Sequence, residues 1–341
     1  MYAPPYVKIA GRVEVQVSAL TGYGAIGNYN QHTVARVVVD GNVYEVPVMT
    51  GNSLKHWHSF YLAEIYEAHQ GKLINEFCKR GVGLRGKELQ STFQDPQPAN
   101  SECEAILDIC NDIHGFLIPD KQIKRDSLVK VSFMIPVLTK ENLEIASKFA
   151  VQHNRVIPSQ VKVSDQDKMM VFKQEYSTAL YGFNISMNLG LTLKPQYEPG
   201  CNFSKFNLND ERKLRIKSSI LAVLALITGG AGSKQARALP ITKVKELLAV
   251  VSNHPVPNLI HGAYADYHVE SLEALKAYAK ASVAAGNMSV HVLCHNIREK
   301  DVDYCAKEKQ SQGQSLIVFE SYDSLDEFFR ALVEKALKFV E

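Results

Sequence analysis

Residues 228–240 read TGGAGSKQARALP, a glycine-rich loop running directly into Lys234, Gln235 and Arg237. Loops of this composition hold phosphates through exposed backbone N–H groups and adjacent cations. The Walker pattern, however, needs Lys followed by Ser or Thr, and here Gln235 follows Lys234. The loop also leaves the C-terminal end of a predicted helix, where the macrodipole is negative, so Lys234 and Arg237 must supply the attraction. That chemistry suits sequence-independent contact with a polynucleotide backbone better than a nucleotide cradle.

Other chemistry-bearing stretches carry less. Gly81, Gly83 and Gly86 in RGVGLRG match the dinucleotide fingerprint. That fingerprint works between a strand and a helix, whereas this one follows a helix and enters a polar stretch, so a loop is expected. HVLCH offers His291, Cys294 and His295; on a strand the two histidines share a face and the cysteine takes the other, so they do not converge on a metal. His32, His56, His58 and His153 are the candidate general bases, with no nucleophile elbow or paired carboxylates beside them. Neither a cofactor nor a metal is expected.

The elements that must position these residues mix strand and helix patterns. Val13, Val15 and Val17 alternate with polar residues in the first strand; VARVVVD and VYEVPVM form a hairpin through Asp40-Gly41-Asn42. A helix follows in GNSLKHWHSFYLAEIYEAH, capped by Asn52 or Ser53. Residues 79–127 read as an insertion with little core of its own and a short helix near 101–114, before strand chemistry returns at 128–138 with Val129, Val131 and Phe133 on one face. Residues 149–180 are compatible with a long projecting hairpin. GFNISMNLGLTL then alternates from Phe183 to Leu193, and its second face, Asn184, Ser186 and Asn188, is polar and uncharged, as on a sheet surface that touches something. A helix capped by Asn209 or Asp210 runs to about Thr228. Residues 243–252 fit strand or helix; a helix at 268–284, strands at 288–295 and 315–320, and a last helix capped by Asp323 complete an α+β chain.

Composition bounds the class. Of 341 residues, 46% are hydrophobic and 22% charged, and no apolar run reaches the length of a membrane span. Net charge is +2, but between Glu211 and Glu246 eight basic residues stand with no acidic one, leaving −6 for the remainder. A basic segment on an acidic body fits a polyanion partner. No signal peptide is read, and six cysteines without a C-x-x-C pair fit reduced thiols in a cytoplasmic protein.

With GYGAIGNYNQHTV, VMTGNSLKHWHSF, FAVQHNR, YGFNISMNLGL and LALITGGAGSKQAR in this order, the chain resembles the CRISPR-associated backbone subunits of type I Cascade complexes. The resemblance is nearest to the archaeal type I-A branch of the RAMP superfamily, which overlaps the DevR-type regulators in name. It covers nearly the whole chain and is weakest in 79–127 and 253–314. It implies a single domain, 1–341, with an RRM-like (ferredoxin-like) core, a finger-like insertion at 79–127 and a thumb β-hairpin at 149–180. Such subunits polymerise head to tail along CRISPR RNA beside other Cascade subunits, grip its backbone without reading sequence, and present bases to a target DNA strand. The implied RNA-binding residues are Asn28 and His32 in the loop after the first strand; Ser53, Lys55 and His56 at the start of the first helix; Gln152, His153 and Arg155 at the thumb base, with Met169 and Met170 further along; and Lys234, Gln235 and Arg237 in the glycine-rich loop. No carboxylate occurs from Val15 to Val39, where RNA-cutting relatives of type III complexes carry an aspartate, so a non-catalytic scaffold is expected. The alternatives are a metal-independent endoribonuclease using His32 or His153, and a DNA-binding regulator of the DevR kind, for which no helix-turn-helix is visible.

Overall fold

Alternation in YVKIAGRVEVQVS builds a central strand, Tyr6–Ser18, whose Val7, Ile9, Val13 and Val15 are buried against helices. The computed structural model describes residues 3–156, 160–161, 169–233, 235–282, 288–299, 301–311 and 316–340. The central strand is antiparallel to the long strand Met169–Asn188 on one side and to Ile241–Ser252 on the other. Beyond the long strand, Val129–Val131 and Ile135–Pro136 pair antiparallel with it. Beyond Ile241–Ser252, Val290–His295 pairs antiparallel and Ile317–Tyr322 parallel. The result is a mixed α/β architecture around one large sheet.

Each face of the sheet has its own core. Helices Gly51–Ala68, Leu208–Ala225 and Leu325–Leu337 bury Leu54, Leu62, Ile216, Ile220, Phe328 and Leu332 against one face. Helix Tyr267–Ser282 and the 304–305 region bury Leu272, Leu275 and Tyr304 on the other. The segment leading to that second helix lies directly on the sheet. A Cβ at Gly182 would sit 2.1 Å from Ala263 N, and one at Gly262 would sit 2.2 Å from Gly11 O, so only glycine permits the approach.

The cap positions differ from expectation because several candidates flank each helix start. Thr50, Asn207 and Ser324 cap the three helices, in place of Asn52 or Ser53, Asn209 or Asp210, and Asp323. Regular helix ends at Ala225, and a widened turn, Leu226–Gly230, carries Thr228 and Gly229 out of helical geometry. The long strand stops at Asn188, where Leu189–Leu191 form a single 3₁₀ turn. Phe133 is exposed rather than sharing the buried face of Val129.

Two expectations are overturned more deeply. All six cysteines are paired, as Cys78–Cys110, Cys103–Cys201 and Cys294–Cys305, so the thiols are not free. The 79–127 insertion does own a core: Ala99, Ala105, Ile106, Phe116 and Ile118 form an apolar cluster. Beneath it runs a buried ionic chain. Arg125 bridges Glu102 (2.9 Å) and Asp112 (2.7 Å), and Asp112 reaches Arg215 (2.9 Å), which also holds Glu211 (2.7 Å). Every member is hydrogen-bonded again: Glu102 accepts from the Gln196 and Tyr197 amides, and Arg215 donates to the Ile106 and Leu107 carbonyls. Such saturation is what makes buried charge tolerable.

Candidate nucleic-acid interface

The strand Lys148–Val156 pairs antiparallel with the first half of the long strand, with His153 directly opposite Phe172. The two rings stack at 4.9 Å with an interplanar angle of 18°. The Arg237 guanidinium lies over the Phe172 ring, 4.2 Å from its centroid. Three residues from separate stretches thus form one stack of guanidinium, phenyl and imidazole. His153 Nε2 also lies 3.3 Å from Tyr176 Oη, which fixes the ring's edge. Asn28, Tyr29, Ala150, Phe172 and Lys173 line a cleft of about 390 Å³ beside the stack. The Asn28 carbonyl accepts from the Lys173 amide at 2.8 Å, so the loop after the first strand is held to the hairpin base.

Nothing in the sequence pattern singled out Phe172. One aromatic residue in a strand is ordinary; its role follows from the hairpin register and from Arg237, 65 positions further along.

The glycine-rich loop is anchored at its root. Gly230 O accepts from Tyr61 Oη at 2.9 Å and from Gln235 Nε2 at 3.2 Å; Gln235 also donates to Gly232 O at 3.2 Å. Ser233 donates its amide to Leu20 O at 2.8 Å. Gly229 and Gly232 adopt φ of 114° and 113°, a region open to glycine. Gln235 therefore closes the loop on itself, while Arg237 is exposed beyond it. Lys234 lies outside the described residues, as do the side chains of Arg155, Met169 and Met170. Gln152 is exposed on the same strand as His153.

His32 departs from its expected place at a surface. It is 3% exposed, and both ring nitrogens lack a hydrogen-bond partner. Burial pulls its pKa down to about 4, against the upward pull of Glu175. Its amide donates to Glu175 at 2.7 Å, and Glu175 also accepts from Tyr29 Oη at 2.7 Å and pairs with Lys148 at 3.1 Å. Burial raises the Glu175 carboxyl, but these contacts outweigh it and hold the group below its ordinary range. His32 thus belongs to the buckle joining the loop after the first strand to the hairpin.

Ser53, Lys55 and His56 lie apart from the stack, at the start of helix Gly51–Ala68. The Ser53 amide is used by the Thr50 cap at 3.3 Å. Thr50, Gly51, Asn52 and Lys55 share a cleft of about 470 Å³ with Lys130 and Phe133. Burial, with Arg85 nearby, pulls Lys55 down to about 8. His56 is exposed, edge-on to Trp57 at 5.5 Å. His58 is wholly buried: its Nδ1 meets His114 Nε2 at 3.0 Å and its Nε2 meets Ser219 O at 3.0 Å. Burial brings its pKa to about 4 despite the Ser219 carbonyl.

The acid-free stretch from 212 to 245 also splits. Arg212 and Arg215 are buried structural residues, Arg212 donating to Thr192 O and Gly190 O, each at 3.1 Å. Lys213, Arg237, Lys243 and Lys245 remain exposed, with Lys245 3.3 Å from Glu14. At the other end of the sheet, Cys294 is bonded to Cys305, and His295 Nδ1 meets Tyr322 O at 3.0 Å, so the HVLCH residues do not converge.

Residues 9–272 match the family described as CRISPR-associated negative auto-regulator DevR/Csa2. The chain belongs to the DevR/Csa2 family of CRISPR-associated proteins. A Thermoproteus tenax protein named CRISPR-associated protein Cas7/Cst2/DevR is 52% identical, over 98% of this chain and 97% of its own length. A Saccharolobus solfataricus protein, CRISPR-associated aCascade subunit Cas7/Csa2 2, is 27% identical over 84% of this chain and 92% of its own. Among solved structures, a chain of a CRISPR RNA-guided surveillance complex is 13% identical, covers 96% of this chain and 98% of its own, and has a TM-score of 0.45. The DevR/Csa2 match spans the stack, the glycine-rich loop and the first helix, and ends within helix Tyr267–Ser282. Among the described residues, no helix is long and apolar enough to cross a membrane.

Proposed function

We propose that this DevR/Csa2 protein is a non-catalytic scaffold that binds CRISPR RNA along its backbone, polymerises head to tail on it, and presents its bases to a target DNA strand within a Cascade complex. The observation that carries the reading is the Arg237–Phe172–His153 stack beside the Asn28 cleft. An exposed guanidinium supplies phosphate attraction and, packed on the Phe172 ring, a planar surface of its own for a base to stack on, the pair that single-strand binding requires. The printed name of the Saccharolobus relative, an aCascade subunit, supports the assembly.

The strand order Ile241–Ser252, Tyr6–Ser18, Met169–Asn188, Val129–Val131, all antiparallel, supports an RRM-like (ferredoxin-like) core. In that frame 79–127 is the finger, and the strands Lys148–Val156 and Met169–Ser177 form the thumb within a single domain. The endoribonuclease reading gains no support from His32, since a buried ring is badly placed to take a proton from RNA.

The test is the nucleic acid that copurifies with the protein, alone and after co-expression with a CRISPR array. RNA of uniform length, intact and nuclease-protected, supports the scaffold. RNA cut at one position in EDTA, or none, overturns it. Replacing Lys234 and Arg237 with Glu is expected to weaken binding to every RNA sequence alike; a loss confined to one sequence would contradict backbone recognition.

A further inference from the structure

The polar second face of the long strand has a use beyond the stack. Ser186 lies directly opposite Lys8 on the central strand and directly opposite Lys130 on strand Val129–Val131. Neighbours of all three residues point into the helix-side core, so the row Lys8–Ser186–Lys130 lies on the opposite face of the sheet. Lys8 Nζ donates to Ser186 Oγ at 2.6 Å and to Asn258 Oδ1 at 2.9 Å. Among the described residues, neither lysine has a carboxylate within ion-pairing distance. Asp126, the acid at the rim, is turned elsewhere: it accepts from Tyr197 Oη at 2.9 Å and lies 3.9 Å from Lys124. Asn188 Oδ1, buried in the same cleft wall, has no partner. Burial, then the neighbouring Lys130 charge, pulls the Lys8 amine down to about 8. A half-buried lysine facing a like charge is what an anion would relieve.

Three clefts meet at Lys130. Clefts of about 310, 470 and 380 Å³ all share Lys130 as a wall; one holds Lys8, the next Lys55, the third Asn184 and Asn258. We propose that the Lys8–Ser186–Lys130 row, continued through Lys130 towards Lys55, is a second phosphate track that takes the phosphodiester backbone of a single nucleic-acid strand. Phe172 and Ser186 stand on one strand with 14 steps between them, roughly 45 Å at about 3.3 Å per residue, so the track is separate from the stack. A compact anion needs one cleft; three that meet at Lys130 leave room for more than one phosphate of a chain.

The proposal rests on the nucleic-acid reading, and its test separates the two. The salt dependence of binding is measured with a short single-stranded RNA on wild type, Lys8→Gln/Lys130→Gln and Phe172→Ala. The lysine variant is expected to lose about 0.7 in the slope of log K against log salt per lysine removed, while Phe172→Ala loses affinity with little change in slope. An unchanged slope in a folded lysine variant overturns the track and leaves the stack reading intact; no binding by wild type overturns both. Amine labelling of unmodified protein covers the case in which the variant misfolds. RNA is expected to protect Lys8 and Lys130 from acylation, whereas inorganic phosphate at equal phosphate concentration does not. Labelling indifferent to RNA, or equal protection by inorganic phosphate, overturns the track.

Discussion

In the 79–127 insertion, Arg125 has its guanidinium on two carboxylates and three main-chain carbonyls, those of Asp112, Lys194 and Leu191. At the hairpin base, Arg237 lies over a phenyl ring and, among the described residues, forms no ion pair. The first arginine is spent on the fold; the second is still available to a ligand. Lys8 and Lys130 resemble Arg237, and Arg212 and Arg215 resemble Arg125, although Arg212, Arg215 and Arg237 all come from one acid-free stretch. Basic residues are therefore sorted by whether carboxylates and carbonyls from elsewhere in the chain reach them.

The sharpest way to break the comparison is to empty the insertion's ionic chain. Arg215→Met leaves Asp112 and Glu211 with one fewer partner in a buried site, and a loss of about 3–5 kcal/mol is expected, read by chemical denaturation. A loss under 1 kcal/mol would show that the chain is not structural. Acid is expected to act next. His32 and His58 titrate near 4 when folded against 6.5 when unfolded, so in that window the unfolded chain binds more protons. Stability is then complete above about pH 6.5 and falls as pH drops towards 4, by up to about 3 kcal/mol for each histidine. Thermal melts from pH 7.5 to 4.5 check this, and His58→Gln should flatten the curve. At the hairpin base the expected effects move from stability to binding. Phe172→Ala should cost about 1–3 kcal/mol of single-strand RNA affinity with the melting temperature nearly unchanged, measured by fluorescence anisotropy. Arg237→Gln should be smallest, reducing the salt slope by about 0.7 with no change in sequence preference.

The sequence made many of the strands legible, because alternation is local. The hairpin of Val34–Val39 with Asn42–Pro47 and the late strands fall where the pattern places them. The caps were missed by a few residues, since Thr50 and Ser324 stand beside equally suitable side chains. The insertion was misread for a different reason. Its core depends on partners far away in sequence: Cys103 bonds Cys201 across 98 positions, and Glu102 holds the amides of Gln196 and Tyr197. The candidate site was legible in part. His153 and Arg237 come together, but Phe172, which joins them, and the Lys8–Ser186–Lys130 row depend on register that no single stretch displays.

The fastenings of the insertion also set an order of opening. Two disulfides, Cys78–Cys110 and Cys103–Cys201, and the Arg125–Asp112–Arg215 chain tie it to the short helix Glu76–Lys79, to the segment after the long strand and to helix Leu208–Ala225. Among the described residues, the hairpin strand Lys148–Val156 pairs with the long strand alone, and it exposes Phe149 and Val151. In native-state hydrogen exchange the amides of 148–156 should therefore exchange through small local fluctuations, and those of 109–114 only when the whole domain unfolds. A strand laid across the hairpin base would slow the first set and leave the second untouched, which makes exchange at residues 148–156 a readout of loading that needs no label.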